Sequence, residues 1–351
     1  MTQTSALMTT GWLKNPAFDL VFILGVPLLG ITAGLVAWNQ PELFFPLLVA
    51  DLWLLGYHHV IATFTRTAFD LESFREHKAL NLYLPVAVAL AVALLAFSFG
   101  TWFLATIYLH WQWYHYTRQS EGISKAYIGK NSDRATGDPQ WMRVVFYSVP
   151  IAGILHVSAR APHTFLFMPV QTLPIPMGIV WLADAIAIMA VSAWLIYQIR
   201  SAIQGRLALS HFLYMLSHFA VYFIAYILIT NINYGWMTIN IWHNAQYILF
   251  VWLFNNKRFN GGLDDKHKLL STLSQTNRFP LYIITCLTIS TGVYTMLQYY
   301  GVDLISSSLG VSVAAATVIA YQTINFHHYI VDSRIWKLRK KAVRENLGLT
   351  Q

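Results

Sequence analysis

The chain has 351 residues, of which 56% are hydrophobic and 11% are charged, with a formal net charge of +8 and a mean hydropathy of +0.48. A soluble globular protein carries about 25% charged residues, so the composition excludes a soluble fold, and the 15% of aromatic residues excludes a disordered chain. Because Cys286 is the single cysteine, an intrachain disulfide and a cysteine-based metal site are also excluded. The composition predicts an all-α polytopic transmembrane helical bundle.

Apolar segments of membrane-spanning length recur along the whole chain. A transmembrane helix needs roughly 20 mostly apolar residues to cross about 30 Å of hydrocarbon. The polar lead-in 1–16 lacks the layout of a signal peptide, so we expect the first span to be retained. The loops are too short for a second domain, which predicts one membrane domain over 1–351 with a basic tail at 333–351. The ten predicted spans are 17–38, 43–65, 80–99, 101–118, 141–158, 177–199, 208–230, 238–254, 280–299 and 309–331.

The positive charges of the predicted loops favour one side of the membrane. With ten spans, 22 of the 23 Lys and Arg residues lie on the side that holds both termini, and Arg160 alone lies on the other. Cytoplasmic loops are enriched in Lys and Arg, so this asymmetry predicts cytoplasmic termini and a multi-pass protein of a bacterial inner membrane. Topology then accounts for the net charge, and no nucleic-acid partner is expected. The basic tail is either a topology signal alone or also a contact with anionic headgroups of the bilayer.

Nine of the thirteen histidines fall between mid-membrane and the predicted cytoplasmic face. A single buried histidine is usually a hydrogen-bonded core residue, but nine at one depth indicate metal binding, since imidazole is the commonest metal ligand. Iron, as one or two ions, is the first choice, and copper and zinc are alternatives. His77 and His267 lie in charged loops, where we expect them to be solvated. The nine candidate ligands are His58, His59, His110, His115, His211, His218, His243, His327 and His328.

Helical spacing narrows this set. His211 and His218 are seven residues apart, which places them on one helix face but about 10 Å apart along the axis, so one ion does not easily bind both. In each adjacent pair, one histidine at most points straight at a site. We expect roughly four to six ligands. They are drawn from His59, His115, His211, His218, His243 and His328, with His58, His110 and His327 as alternates.

Polar residues follow several of these histidines by three or four positions, on the same helix face. A metal-bound histidine donates its other ring N–H to a carboxylate, carbonyl or amide, which fixes its tautomer. Residues at this spacing are therefore candidates for holding the ligands, and the tyrosine among them is also a catalytic candidate. They are Thr63, Gln119, Gln246, Tyr247 and Asp332.

Three charged residues near the histidines are further candidates. Asp51 lies deep in the second span, seven residues before His58, and is predicted to be a catalytic proton relay or a ligand. Arg66 and Arg118 follow histidine clusters closely. They either bind an anion, such as a lipid headgroup, a carboxylate substrate or a haem propionate, or are topology-setting cations that reach the interface.

A buried histidine site suits iron chemistry with O2, because O2 and lipids both partition into the membrane. The expected reaction is hydroxylation, desaturation or oxidative cleavage of a lipophilic substrate, with an electron donor as a further partner. In its architecture, the chain resembles the polytopic, His-rich, integral-membrane non-haem iron oxygenases. These include the bacterial and archaeal β-carotene-cleaving dioxygenases of the Brp/Blh type and, more distantly, the membrane fatty-acid desaturases and hydroxylases. The resemblance implies iron bound by histidines from several spans, although the desaturase boxes HxxxH and HxxHH are absent.

Two other classes of function fit parts of the pattern. Two histidines at one depth, such as His115 and His218, could clamp a b-type haem in an electron-transfer protein. A haem needs small residues where its ring lies against a helix, whereas these helices are rich in Trp, Tyr and Phe. A metal or proton transporter, with Asp51 and Asp184 on its path, predicts polar residues in both membrane halves, and the outer half here is largely apolar.

Overall fold

The structure is a computed structural model that describes residues 11–349, so the start of the predicted lead-in and the last two residues of the tail lie outside it. A two-residue antiparallel hairpin, β1 (Thr164–Phe165) and β2 (Met168–Pro169), interrupts an otherwise helical chain. The helices are α1 (Pro16–Asn39), α2 (Pro41–Thr67), α3 (Leu71–Glu76), α4 (Ala79–Phe99), α5 (Thr101–Lys130), α6 (Pro139–Arg160), α7 (Met177–Ile203), α8 (Leu209–Leu228), α9 (Ile232–Arg258), α10 (Lys268–Leu273), α11 (Thr276–Leu309), α12 (Val313–Ile335) and α13 (Lys341–Leu347).

Each of the ten predicted spans corresponds to one long helix. Within residues 11–349, seven helices are long and apolar enough to cross a membrane, namely α1, α2, α4, α6, α7, α8 and α11. The remaining long helices, α5, α9 and α12, are less apolar because they carry many polar residues that the fold buries. The chain is therefore an all-α helical membrane bundle.

The bundle places apolar residues outside and polar residues inside. On α4, the side chains of Val86, Leu90 and Leu94 are 60–68% exposed, as expected for a surface that faces lipid. In contrast, 21 of the 27 residues of α9 are buried, including asparagines, a glutamine and a histidine. Buried polar groups inside a membrane are costly, so they mark the part of the molecule that carries function.

Glycines allow α1 to cross α9 at close range. A Cβ on Gly30 would lie 2.4 Å from the Thr238 carbonyl oxygen, and a Cβ on Gly34 would lie 1.8 Å from the Thr238 hydroxyl oxygen. Small residues four apart are a common device for close packing of membrane helices, because they let two backbones approach. This contact fixes the position of α9 and therefore of the polar residues that it carries.

A π-helical turn interrupts α2 at Leu52–Gly56, immediately before its two histidines. A π turn inserts an extra residue and rotates the side chains that follow it relative to those that precede it. The seven-residue spacing between Asp51 and His58 therefore does not follow one uninterrupted α-helical face. The carboxylate of Asp51 instead accepts a hydrogen bond of 2.6 Å from Asn240 on α9.

Both described ends of the chain lie at the same end of the bundle. Helix α5 continues twelve residues beyond its predicted end at residue 118, and at its end Lys130 donates to the carbonyl of Gly348. The next residue, Asn131, donates to the Gly11 carbonyl at 3.3 Å. The β-hairpin lies at the opposite end, where the Leu166 amide donates to a side chain at the start of α9.

Candidate metal centre

Four helices bring four histidines into one buried cluster. His59 comes from α2, His115 from α5, His243 from α9 and His328 from α12, and all are at most 8% exposed. The ring centroids lie 4.7 Å apart for His59 and His328 and 5.4 Å apart for His59 and His243. The His115 centroid lies 5.0 Å from that of His243 and 5.1 Å from that of His328. The rings of these four pairs are inclined to each other by 70–84°, so none of the pairs is stacked face to face.

Five ring nitrogens in this cluster have no hydrogen-bond partner in the part of the chain that the structure describes. Among residues 11–349, no hydrogen bond reaches Nδ1 of His59, Nε2 of His115, either nitrogen of His243 or Nε2 of His328. A buried polar atom without a partner costs about 1–3 kcal/mol, so five of them in one cluster require a further ligand. Atoms from His59, His243 and His328 lie within 4.8 Å of one another, as do atoms from His115, His328 and Asp332. Either group could hold a metal ion.

The carboxylate of Asp332 completes the cluster on α12. Its Oδ2 lies 3.5 Å from Nε2 of His328 and 3.8 Å from Nε2 of His115. Bonds of about 2.0–2.2 Å to a metal ion allow two ligand atoms to be up to about 4.4 Å apart. These distances therefore fit two nitrogens and one oxygen around a shared ion, and the donor set of imidazole and carboxylate suits iron, copper or zinc.

A hydrogen-bond chain orients His328. Its Nδ1 lies 3.0 Å from the Thr63 hydroxyl, which lies 2.9 Å from the Tyr247 hydroxyl, and Tyr247 donates to Oδ1 of Asp332 at 2.6 Å. The indole N–H of Trp336 also donates to the Tyr247 oxygen, at 3.0 Å. When Nδ1 of His328 carries the proton, it donates to the Thr63 oxygen, the Thr63 hydroxyl donates to the Tyr247 oxygen, and the Tyr247 hydroxyl donates to Asp332, so every hydrogen bond has one donor and one acceptor. The chain thus assigns the tautomer that leaves Nε2 of His328 bare for a metal.

Aromatic rings and an amide hold two other histidines. The His243 ring stacks on Tyr116 at 3.9 Å, and the His115 ring stacks on Tyr329 at 4.3 Å. The Gln119 amide donates to the His243 carbonyl at 3.2 Å, and so crosses from α5 to α9. These contacts restrict both rings to orientations that face the cluster.

The structure places His211 and His218 away from the cluster, although both were predicted ligands. Nδ1 of His218 lies 3.0 Å from the Ser120 hydroxyl, and its Nε2 donates to the Phe146 carbonyl at 3.1 Å. Nε2 of His211 lies 3.1 Å from the Ser124 hydroxyl. Both serines belong to the part of α5 that extends beyond the predicted span. Ser120 and Ser124 follow His115 by five and nine residues in α5, so His211 lies further along the bundle than the cluster, and both histidines join α8 to α5.

The three alternates also lie outside the two groups of ligand atoms found within residues 11–349. Nδ1 of His110 donates to the carbonyl one turn earlier in α5, at 2.9 Å. Nε2 of His327 donates to the Leu80 carbonyl at 2.8 Å, which ties α12 to α4. His58 is buried beside His59 but is not part of either group.

The remaining predicted residues have other contacts. The Arg66 guanidinium lies over the rings of Phe254 and Trp336, 3.8 and 4.8 Å from their centroids. Arg118 pairs with Glu121, in an ion pair that is partly exposed. Asp51 is absent from the ligand groups of the described chain. Gln246 is fully buried on α9.

The prediction that His267 is solvated is wrong, because the fold buries this side chain to 8% exposure. Its Nδ1 donates to the Asp264 carboxylate at 2.9 Å, and its Nε2 accepts from Arg258 at 3.1 Å. The hydrogen bond from His267 holds the pKa of the Asp264 carboxyl below its ordinary value. His267 thus connects the loop residue Asp264 to Arg258 at the end of α9, and it does not belong to the histidine cluster.

Two features of the site escaped the sequence analysis. The sequence places Trp336 only in the basic tail, yet its indole N–H donates a hydrogen bond to the Tyr247 oxygen. Asn240 connects Asp51 to the Tyr116 hydroxyl, which links the interior of α2, α9 and α5. The short segment around Gly30 and Gly34 carried a recognisable small-residue signal for close helix packing, whereas nothing in the sequence singled out Trp336.

No protein-family model, no curated protein and no solved structure matches this chain. The function of the protein is therefore inferred from the geometry of the site.

Proposed function

We propose that this protein is an integral-membrane, non-haem metal oxidoreductase that uses O2 on a lipophilic substrate. The metal, iron in the first place, is held by His59, His115, His243 and His328, with the Asp332 carboxylate as a further ligand. The reaction class is hydroxylation, desaturation or oxidative cleavage. The main support for the proposal is one buried cluster to which four helices each contribute a histidine. Ring nitrogens of all four histidines have no hydrogen-bond partner in the described chain.

We propose a single ion. His328 belongs to both groups of candidate ligand atoms, and its Nδ1 is engaged with Thr63. One ring nitrogen binds one metal ion, so the bare Nε2 of His328 serves one ion and the two groups cannot both be filled through it at once. The atoms of the five residues do not all lie within 4.8 Å of one another, so side chains of one group would have to move towards the ion for all five residues to bind it. Copper and zinc remain alternatives, because their affinity for imidazole sites is at least as high as that of iron.

The protein's own residues define how the site works. When bound, iron would supply the redox change and the open coordination position that O2 chemistry requires. The four helices exclude bulk water, and the Thr63–Tyr247–Asp332 chain holds His328 in one tautomer and keeps a proton on the Tyr247 oxygen next to the carboxylate. His59 also lines a cavity of about 320 Å³, which gives a substrate a route to the cluster.

We further propose the full ten-span topology, with both termini in the cytoplasm of a bacterium. The support is the loop charge asymmetry together with the position of both described chain ends at one end of the bundle. Helices α5, α9 and α12 would cross the membrane surrounded by the seven more apolar helices.

Metal content tests the site. His59→Ala, His243→Ala and His328→Ala should each reduce the iron content of detergent-purified protein measured by elemental analysis. His211→Ala and His218→Ala are matched controls, since they remove equally buried histidines outside the cluster and should retain the metal. Full metal in the first three variants, or equal loss in all five, would refute the ligand assignment.

Spectra test the reaction class. The ferrous protein should bind nitric oxide, a surrogate for O2, and give the electron paramagnetic resonance signal of a non-haem iron nitrosyl. That signal should disappear in His243→Ala and persist in His218→Ala. A Soret band in the purified protein would instead establish the b-type haem alternative, and a metal site that never binds nitric oxide would contradict O2 chemistry.

A further inference from the structure

A cavity of about 320 Å³ connects the cluster to the surface of the bundle. At its inner end it is lined by the buried residues His59, Asn244 and Gln112. At its outer end it is lined by Phe167 of the β-hairpin, which is 71% exposed, and by the exposed Gln298 of α11. The volume is at the lower end of the range of about 300–1,000 Å³ for ligand pockets. The cavity therefore runs from the hairpin end of the bundle inwards to the candidate metal ligands.

The lining of the cavity is neutral. Within the described part of the chain, no Lys, Arg, Asp or Glu contributes to it. Its walls combine leucines and aromatic rings with side-chain amides and tyrosine hydroxyls. Burying an unpaired charge in such a place is far more costly than burying a hydrogen-bonded neutral group. A carboxylate, a phosphate or an ammonium headgroup would find no countercharge here.

Asn244 provides a polar anchor at the inner end of this cavity. It is fully buried, and over residues 11–349 neither atom of its side-chain amide has a hydrogen-bond partner. The amide lies beside the Asp51 carboxylate, which can accept from one of its two N–H groups and so leaves the second N–H and the carbonyl oxygen for a ligand. Its neighbour Gly56 places no side chain against the amide, and a Cβ there would contact the Asn244 nitrogen at 3.7 Å and Cδ2 of Leu52 at 3.3 Å. A buried amide that can both donate and accept is a receptor for a hydroxyl or carbonyl oxygen.

We propose that the cavity binds a neutral lipid whose hydroxyl or carbonyl oxygen hydrogen-bonds to the Asn244 amide. Its hydrocarbon chain lies towards Phe167 and Gln298. The polar end of the lipid, rather than the end of its tail, is then the part next to His59. That this lipid is a substrate rests on the proposed function. Its binding in the cavity, however, requires no metal.

The test uses the purified full-length protein in lipid nanodiscs, both metal-free and metal-loaded. A fatty alcohol with a mid-chain diazirine is photocrosslinked, and the labelled peptides are identified by mass spectrometry. Dodecanol, dodecane, dodecanoate and dodecyltrimethylammonium compete with it. Dodecanol should compete about ten-fold more strongly than dodecane, because it satisfies a buried amide, and more strongly than either ion. Labels should fall on cavity residues such as Tyr321 and Val318.

Variants locate the anchor. Asn244→Leu should abolish the preference for dodecanol over dodecane. Gln198→Leu is the matched control, because Gln198 is a buried amide without hydrogen-bond partners in the described chain but lies on α7, away from the cavity, and this variant should keep the preference. Gly56→Val should weaken both ligands by filling the inner end.

Several results would overturn this proposal. They are competition by dodecanoate equal to that by dodecanol, an unchanged alcohol preference in Asn244→Leu, or labels outside the cavity. The competitor series on unmodified protein is decisive even if Asn244→Leu does not fold. Because the series is run on metal-free as well as metal-loaded protein, the lipid site can fail while the metal site stands, and the reverse also holds.

Discussion

Removing one hydroxyl group tests how the cluster is held. Thr63→Val keeps the shape of a side chain that is 2% exposed, but it removes the oxygen between Nδ1 of His328 and the Tyr247 hydroxyl. In the metal-bound state, Nε2 of His328 is occupied and Nδ1 must carry the proton, so that N–H is left buried without an acceptor. The metal-free protein avoids much of this cost because the ring can change its tautomer or rotate.

The expected magnitude follows from this difference. An unsatisfied buried donor costs about 1–3 kcal/mol. Each factor of ten in affinity corresponds to about 1.4 kcal/mol, so metal binding should weaken by about 10–100-fold, as is usual when a partner of a ligating histidine is lost. Titration with Co²⁺, followed by its visible absorption and by competition with a chelator, measures this change directly.

Thr65→Val is the matched control on the same helix. Thr65 is also fully buried, and its hydroxyl donates to the Ala62 carbonyl at 2.7 Å and accepts from Asn255 at 3.2 Å, outside the cluster. This variant should lower thermal stability but leave the metal affinity unchanged, and Thr63→Ser should restore most of the affinity lost in Thr63→Val. Equal affinities in Thr63→Val and the unmodified protein, or equal losses in both valine variants, would refute the assigned hydrogen-bond chain.

Three further predictions follow from the fold. Gly34→Leu should lower the free energy of unfolding by about 1–3 kcal/mol, because the leucine side chain would collide with α9. Asp264→Asn should lower the melting temperature at neutral pH but not in acid. The hydrogen bond from His267 lowers the Asp264 pKa in the folded state, so its stabilisation is present above the ordinary value of 3.8 and is lost as the pH falls through the lowered value. A cysteine at Phe167, in a Cys286→Ala background, should react with an impermeant thiol reagent added to intact cells, whereas a cysteine at Arg344 should react only after lysis.

Controls make these outcomes decisive. Gly178→Leu places the same side chain on α7 in open space and should leave the melting temperature nearly unchanged. A constant difference between Asp264→Asn and the unmodified protein across the whole pH range would contradict the pKa argument. Labelling of both cysteines in intact cells, or the reverse order, would contradict the proposed orientation.

The sequence alone determines the class of protein and the course of the helices. An uninterrupted run of roughly 20 apolar residues favours a membrane-spanning helix, since lipid offers no hydrogen-bond partners and a helix satisfies its backbone groups within the segment. The ten predicted segments accordingly match ten long helices of the described chain. Depth along a helix can also be counted from sequence, and this is why His115 and His218 were placed at one level.

Which residues meet at that level was decided by tertiary structure. Depth is measured along the helix axis, whereas contact depends on the rotation of each helix about its axis and on the identity of its neighbours. Thus His211 and His218 meet serines of α5 that lie beyond His115 in that helix, although the sequence predicts them as ligands of the same site. Thr63 follows His59 by four residues, yet its hydroxyl orients His328 on another helix.

Two local features set these rotations. The π turn at Leu52–Gly56 changes the direction of the side chains that follow it in α2, and the Gly30–Gly34 segment brings α1 against α9. Neither effect follows from apolar periodicity, because both depend on where one backbone touches another. The chain's composition and spacing therefore determine a helical membrane protein whose inner helices carry many histidines. Only the packing of α2, α5, α9 and α12 selects the four imidazoles whose bare nitrogens face one another.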